Sequence, residues 1–315
     1  MYFLGIDLGG TNIAAGIVDR DYRLTVKTSR KTRIPCTQEE LCGQLAEATA
    51  ATLEKAGLSL DDIPWIGIGS PGTVNRRTGT IEFANNLHVD HFPLGDMLEN
   101  RLRKKVILEN DANAAAYGEY KAGALRGARN ALAVTLGTGV GSGIILDGKI
   151  YAGSNCAGGE MGHIVIVAGG RQCTCGRRGC WETYASATGL IASTLEAMAL
   201  EHTSALWQIV GGDLNKVDGR TAFQGMRAGD ATAKAVVDRY VEYLSCGLTN
   251  CINILQPDIV CIGGGISNEG ETLFAPVREL VRRHVYSKYS SKQAEICRAR
   301  LGNDAGIVGA ALLGE

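Results

Sequence analysis

The feature that most constrains the fold of this chain is a strand, a glycine turn and a second strand, written twice. Near the N-terminus, LGIDLGGTNIAAGIVD sets apolar, β-favouring residues on both sides of Gly9-Gly10-Thr11. LAVTLGTGVGSGIILD, starting at Leu132, repeats the plan around Gly137-Thr138-Gly139 and matches Leu4 to Leu132, Leu8 to Leu136, Gly9 to Gly137, Ile17 to Ile145 and Asp19 to Asp147. A shared plan of this kind points to an internal duplication, and two similar halves facing each other make a cleft.

Each half then adds segments of helical period, about 37–56 in the first and 231–253 in the second. The second is followed by PDIVCIGGGIS, a strand running into a third glycine turn, and by a helix near 271–285. Strands alternating with helices predict an α/β fold with mixed sheets. The halves meet in the Tyr117 to Arg129 segment, giving a small N-terminal domain over 1–118 and a large domain over 119–302 that carries a cysteine-rich loop. The apolar helix within 303–315 is expected to pack back onto the first domain. At 315 residues the chain is long enough for two domains of ordinary size.

Three turns can present backbone N–H groups to phosphate: Gly9-Gly10-Thr11 with Asn12 after it, Gly137-Thr138-Gly139, and Gly263-Gly264-Gly265. Successive N–H groups form a cationic nest that needs no lysine. Neither a Walker lysine motif nor G-x-G-x-x-G spacing occurs in them, and a plain hairpin is the alternative for each. Asp7, at the end of the first strand, can reach a hydrated Mg²⁺ on the phosphates, or merely cap the turn.

The run GEMGHIVIVAGGRQCTCGRRGCWE, Gly159 to Glu182, holds His163, Cys173, Cys175 and Cys180. One imidazole and three thiolates are the closed tetrahedral set that suits structural zinc. The competing reading is ordinary buried cysteines, as for the seven others among the ten. Gly176 and Gly179 stand where a backbone turning about a metal needs positive φ. Trp181 is expected to pack beneath this loop.

From Val106 to Tyr120, VILENDANAAAYGEY reads as a strand ending in Asn110-Asp111 and an alanine-rich helix. Asp111 is read as the N-cap of that helix, as a general base with Asn110 fixing a neighbouring hydroxyl, or as both, since the two roles do not exclude each other. Capping would lower its pKa and weaken it as a base.

DLGGTN, ENDANAAAYGE, LGTGVGSG, GEMGH and CTCGRRGCWE, in this order, resemble the ROK family of repressors and kinases, and within it the ATP-dependent glucokinases. The resemblance implies an actin-like ATPase (ribonuclease H-like) fold, two domains around a central cleft, and phosphoryl transfer from ATP to the 6-hydroxyl of a hexose. It assigns Asp111 as catalytic base and Asn110, Glu160, His163 and Glu182 as sugar ligands, with Asn86 and Gly72 of the GSPG turn also at the sugar. Asn85 stands where many relatives have proline. His163 then serves zinc through one ring nitrogen and sugar through the other. A zinc ion with four protein ligands has no open position, so its role is to position His163. The resemblance also implies a homodimer.

Glucose is the expected substrate. The alternatives are N-acetylmannosamine, N-acetylglucosamine, mannose, allose or fructose, or a sugar sensor without turnover. A formal net charge of -1 gives no argument for nucleic acid or an anionic membrane, so small molecules are the expected partners. The chain starts almost directly at the first glycine-turn strand, which argues against the DNA-binding domain of the repressors. No apolar run spans a bilayer, and Asp7 interrupts any N-terminal signal sequence; with many cysteines this suggests a reducing cytoplasm.

Overall fold

The computed structural model describes residues 1–315. In chain order, the first elements are β1 (Tyr2–Leu8), β2 (Asn12–Asp19), β3 (Leu24–Lys31), α1 (Gln38–Ala56) and β4 (Ile66–Ser70). Then come β5 (Thr73–Asn75), β6 (Thr80–Ala84), β7 (Val89–Phe92), α2 (Leu94–Leu102), β8 (Val106–Asn110) and α3 (Asp111–Ala122). The duplicated motif forms β9 (Ala131–Leu136) and β10 (Val140–Leu146), followed by β11 (Lys149–Tyr151). The rest is α4 (Glu182–Ala185), α5 (Ala187–Leu200), α6 (Leu206–Ile209), α7 (Thr221–Arg227), α8 (Ala231–Leu255), β12 (Ile259–Gly263), α9 (Glu271–His284), β13 (Glu295–Arg298) and α10 (Ala305–Ala311).

There are two five-stranded sheets, ordered β3-β2-β1-β4-β8 and β11-β10-β9-β12-β13, and a small one ordered β5-β6-β7. Both large sheets mix orientations, as the alternation of strands and helices predicts: β1 pairs antiparallel with β2 and parallel with β4, while β10–β11 is antiparallel and β12–β13 parallel. Two compact units result. The first comprises Met1–Ala133, Gly143–Gly159 and Ala299–Glu315; the second comprises Val134–Ser142 and Glu160–Arg298. The first thus runs past residue 118.

Side-chain alternation in β1 explains how the first unit is layered. Leu4, Ile6 and Leu8 point to one face and join a core with Leu41, Leu45 and Ala48 of α1 and Leu94 and Leu98 of α2. Phe3, Gly5 and Asp7 point to the other, where α10 lies. A Cβ on Gly5 would sit 2.0 Å from the Ile307 carbonyl oxygen, and one on Gly67 of β4 would sit 1.8 Å from that of Ala310. The helix lies so close because those strand positions have no side chain. α10 packs equally tightly on α3, since Gly309 and Gly118 bring the two backbones together. Glu119, 2% exposed, completes the join by accepting from the backbone N–H groups of Arg300 (3.1 Å) and Leu301 (2.7 Å). In the second unit, α8 buries a continuous face from Ala233 to Ile252.

Candidate active site

The parallel strands of the first sheet end together. Register pairs Asp7 of β1 with Gly69 of β4, Gly69 with Glu109 of β8, and Ser70 with Asn110. Open α/β sheets bind ligands at the carboxyl ends of their strands. On this edge the structure gathers Asp7, the Gly9–Asn12 turn, Gly72, Asn86, Asn110 and Asp111.

The first glycine turn closes with the Gly9 N–H donating to the Asn12 carbonyl at 2.9 Å. Thr32, which sequence reasoning did not single out, holds the turn: its hydroxyl donates to the Gly9 carbonyl (2.6 Å) and its N–H to that of Thr11 (2.9 Å). Gly10 meets Asn86 directly, because a Cβ there would lie 2.7 Å from the Asn86 carbonyl oxygen. Gly72 is held at φ +89, with the Phe83 carbonyl oxygen only 2.1 Å from where its Cβ would stand. Burial pushes the pKa of the Asp7 carboxyl up, against the smaller opposing effect of Lys27. Its oxygens lie against Gly306 at the start of α10.

The cap of α3 falls one residue before Asp111. Asn110 is the N-cap of α3, its Oδ1 accepting from the N–H groups of Ala112 (2.9 Å) and Asn113 (3.1 Å). Its amide nitrogen donates to the Gly72 carbonyl at 3.0 Å, tying the β4 turn to the β8 end. Asp111 is the first helical residue, and its Oδ1 accepts from the Ala112 N–H at 2.8 Å. Beneath them Glu109, 1% exposed, also went unremarked in the sequence. Its carboxylate accepts from the Asn110 N–H (3.0 Å) and the Asn113 amide (3.0 Å) and pairs with Arg76 at 3.3 Å. A glutamate inside a strand reads as solvent-facing, so only its burial reveals the role.

In the second unit, the Gly137 N–H donates to the Gly139 carbonyl (3.0 Å) and the Gly137 carbonyl accepts from the first residue of α5, Ala187 (2.9 Å). The third turn lies beside it: Gly264 has φ +87, and its Cβ would stand 2.2 Å from the Leu136 carbonyl oxygen. Thr138, Gly263 and Gly265 belong to the same pair of turns. Glu182 also reaches this place, with Oε2 2.5 Å from the position a Gly139 Cβ would take.

His163, Cys173, Cys175 and Cys180 converge, their donor atoms all lying within 4.8 Å of one another. Cys173 Sγ is 3.6 Å from His163 Nδ1, and Cys175 Sγ is 3.7 Å from Cys180 Sγ. A tetrahedron with zinc–sulfur bonds of about 2.3 Å has edges of about 3.8 Å, so the spacing and donor chemistry fit that ion. Gly176 (φ +88) and Gly179 (φ +83) adopt the expected left-handed conformation. Burial pushes the Cys173 thiol up to about 12 and also raises that of Cys180, whereas the Arg177 backbone N–H lowers that of Cys175. Glu182 Oε1 touches the cluster, 3.1 Å from Cys173 Sγ and 3.4 Å from His163 Nδ1. The Glu160 carbonyl accepts from the His163 N–H, and its side chain is exposed. Trp181 packs under the loop as expected, fully buried against Gly247 and donating to the Tyr243 carbonyl.

These two units, with mixed sheets and glycine turns at strand ends, define an α/β protein of the actin-like ATPase fold, as solved structures of the same architecture show. Residues 3–315 match the ROK family, and the chain belongs to it. It is 38% identical to a glucokinase of Thermotoga maritima over 98% of this chain and 95% of that one. A glucokinase of Streptomyces coelicolor is 37% identical over 98% of this chain and 96% of its own. Among solved structures, a ROK family glucokinase from Streptomyces griseus, in complex with glucose and AMPPNP, superposes with a TM-score of 0.82 at 35% identity, covering 99% of this chain and 98% of that one.

Proposed function

We propose that this chain is a glucokinase, transferring the γ-phosphoryl group of ATP to the 6-hydroxyl of glucose. The observation that carries the reading is the position of Asp111, first residue of α3, at the strand edge where Asp7 and the Gly9–Asn12 turn also emerge. There Asp111 takes the hydroxyl proton as the oxygen attacks phosphorus. Its Oδ1 holds the Ala112 N–H, which fixes the carboxylate's orientation.

In the first unit, Asn86, Asn110 and the Gly72 turn hold sugar. Asn110 retains one N–H after donating to Gly72, because an amide nitrogen carries two. In the second unit, Glu160, His163 and Glu182 hold further hydroxyls. A site built from carboxylates and amides rejects a sugar lacking a hydroxyl, because a polar partner is then left unpaired. The backbone N–H groups of the three glycine turns receive the nucleotide phosphates. Asp7 is the hard oxygen donor suited to Mg²⁺, which when bound neutralises charge on those phosphates. His163, Cys173, Cys175 and Cys180 hold structural zinc, which keeps the imidazole fixed for sugar.

No helix is long and apolar enough to cross a membrane. ATP as substrate and ten free cysteines support a reducing, cytoplasmic setting. The active species is a homodimer, to be checked as a light-scattering mass of twice the 33.3 kDa chain; a monomer mass would remove that part.

The test is ADP release with Mg-ATP across glucose, mannose, fructose, allose and the two N-acetylhexosamines, with Asp111→Ala as the blank. Turnover should be strongest on glucose and about 10²–10⁴-fold lower in the variant. Wild-type-like turnover in Asp111→Ala would remove Asp111 from the chemistry. Glucose binding without turnover on any sugar would make the protein a sensor.

A further inference from the structure

A polar cavity lies in the first unit, at the end of α3 opposite Asp111. It has a volume of about 470 Å³ and is walled by the turn before β3, the last turn of α3 and the loop after it, and the approach to α10. Its cations are Arg23, Lys121, Arg126 and Arg300; its carboxylates are Asp21 and Asp304.

These charges do not cancel. Lys121 is held by Glu315 at 3.7 Å, and Asp304 is paired with Lys27. Ion pairs engage arginines elsewhere on the chain, such as Arg30, Arg76 and Arg227, but none engages Arg23, Arg126 or Arg300. Three exposed arginines without an ion pair therefore line one cavity with a single uncommitted carboxylate, that of Asp21, on a chain whose net charge is -1. Like charges gathered without counter-charge repel, and an anion reverses that term. Beside them Lys121 lies over the rings of Tyr22 (5.3 Å) and Tyr117 (5.7 Å), and the Tyr22 hydroxyl donates to Glu315 at 2.5 Å.

We propose that this cavity binds the phosphate group of a small metabolite, through Arg23, Arg126 and Arg300. Guanidinium forks match phosphate oxygens two at a time, which suits a phosphate better than a carboxylate ligand of one charge. The volume falls within the roughly 300–1,000 Å³ range of small-molecule sites, with room for an organic group of sugar size beside the phosphate. The site is separate from the carboxyl edge, since Lys121 and Asp111 stand at opposite ends of the twelve-residue helix α3.

The test is calorimetric titration of glucose 6-phosphate and, separately, of orthophosphate into the full chain at fixed ionic strength, with glucose and AMPPNP saturating. The comparison is the Arg23→Gln/Arg126→Gln/Arg300→Gln variant, whose turnover at saturating substrates should match wild type and so report an intact fold. Binding to the saturated wild type that weakens at least tenfold in the variant supports the site. Tighter binding of the ester then identifies an organic phosphate as ligand, and equal binding identifies free phosphate. Absence of binding by wild type, or equal affinity in the variant, would overturn the proposal. Should the triple variant lose turnover, Arg126→Gln alone is titrated against the same criterion.

Discussion

Replacing Asn110 separates two roles that the structure combines. Asn110→Ala removes the acceptor for the Ala112 and Asn113 N–H groups and the donor to Gly72. Loss of the cap costs about 1 kcal/mol, and the stranded Gly72 carbonyl about 1 kcal/mol more. Together that is about 2 kcal/mol, or a fall in Tm of about 3 °C for a chain of 315 residues at an unfolding entropy of about 2.1 cal/mol/K per residue. Asn110→Asp keeps the acceptor and places a negative charge at the helix N-terminus, which favours it by about 0.3–1 kcal/mol. That offsets most of the lost donor, so the aspartate variant should lie within about 1 kcal/mol of wild type. Activity should rank differently. Asn110→Asp cannot donate to a sugar hydroxyl and sets a second negative charge beside Asp111. Its kcat/KM should fall about tenfold or more, the worth of at least one hydrogen bond. Urea unfolding and steady-state kinetics on both variants are the assay. Equal destabilisation of the two would refute the capping argument, and an unchanged kcat/KM in Asn110→Asp would remove Asn110 from sugar binding.

Two other outcomes follow from the same geometry. Cys175→Ser should reduce zinc, measured by elemental analysis, from one per chain toward none, and should weaken glucose binding through His163; full sugar affinity without metal would break that link. Burial raises the folded pKa of Asp7 above its ordinary 3.8, so its ionisation removes stability as pH rises through the folded value. Asp7→Asn, in chelator, should therefore be the more stable chain at pH 7, with the advantage closing as pH falls toward 3.8 and turnover lost throughout. A urea-midpoint gap that stays constant with pH would show that another effect is responsible.

Much of the architecture was legible because it is local. The strand, turn and strand plan at Leu4 and at Leu132 became β1–β2 and β9–β10, and the periodic segments became α1, α8 and α9 within two residues of the expected bounds. The convergence of His163 with three cysteines was equally readable, since close spacing and two turn-permitting glycines leave few ways to place the thiols. Glu109 and Thr32 were not readable. Nothing in a strand's own residues tells which glutamate will be buried under a neighbouring helix, or which threonine will face a turn more than twenty residues earlier.

The sequence by itself determined where the chain turns, which residues can accept a proton or a metal, and the family to which they belong. Only the tertiary structure decided that Asn110 rather than Asp111 caps α3, because the cap depends on the backbone angle at the strand's last residue. It alone brought Asp7 and Asp111 to one edge, through parallel pairing of strands about sixty and forty residues apart. It also set α10 against β1 and α3, where Gly5, Gly67, Gly118 and Gly309 let backbones meet. Turn and ligand preferences are properties of short segments, whereas register, burial and close approach are properties of pairs of distant segments, which take their values only once the chain has folded.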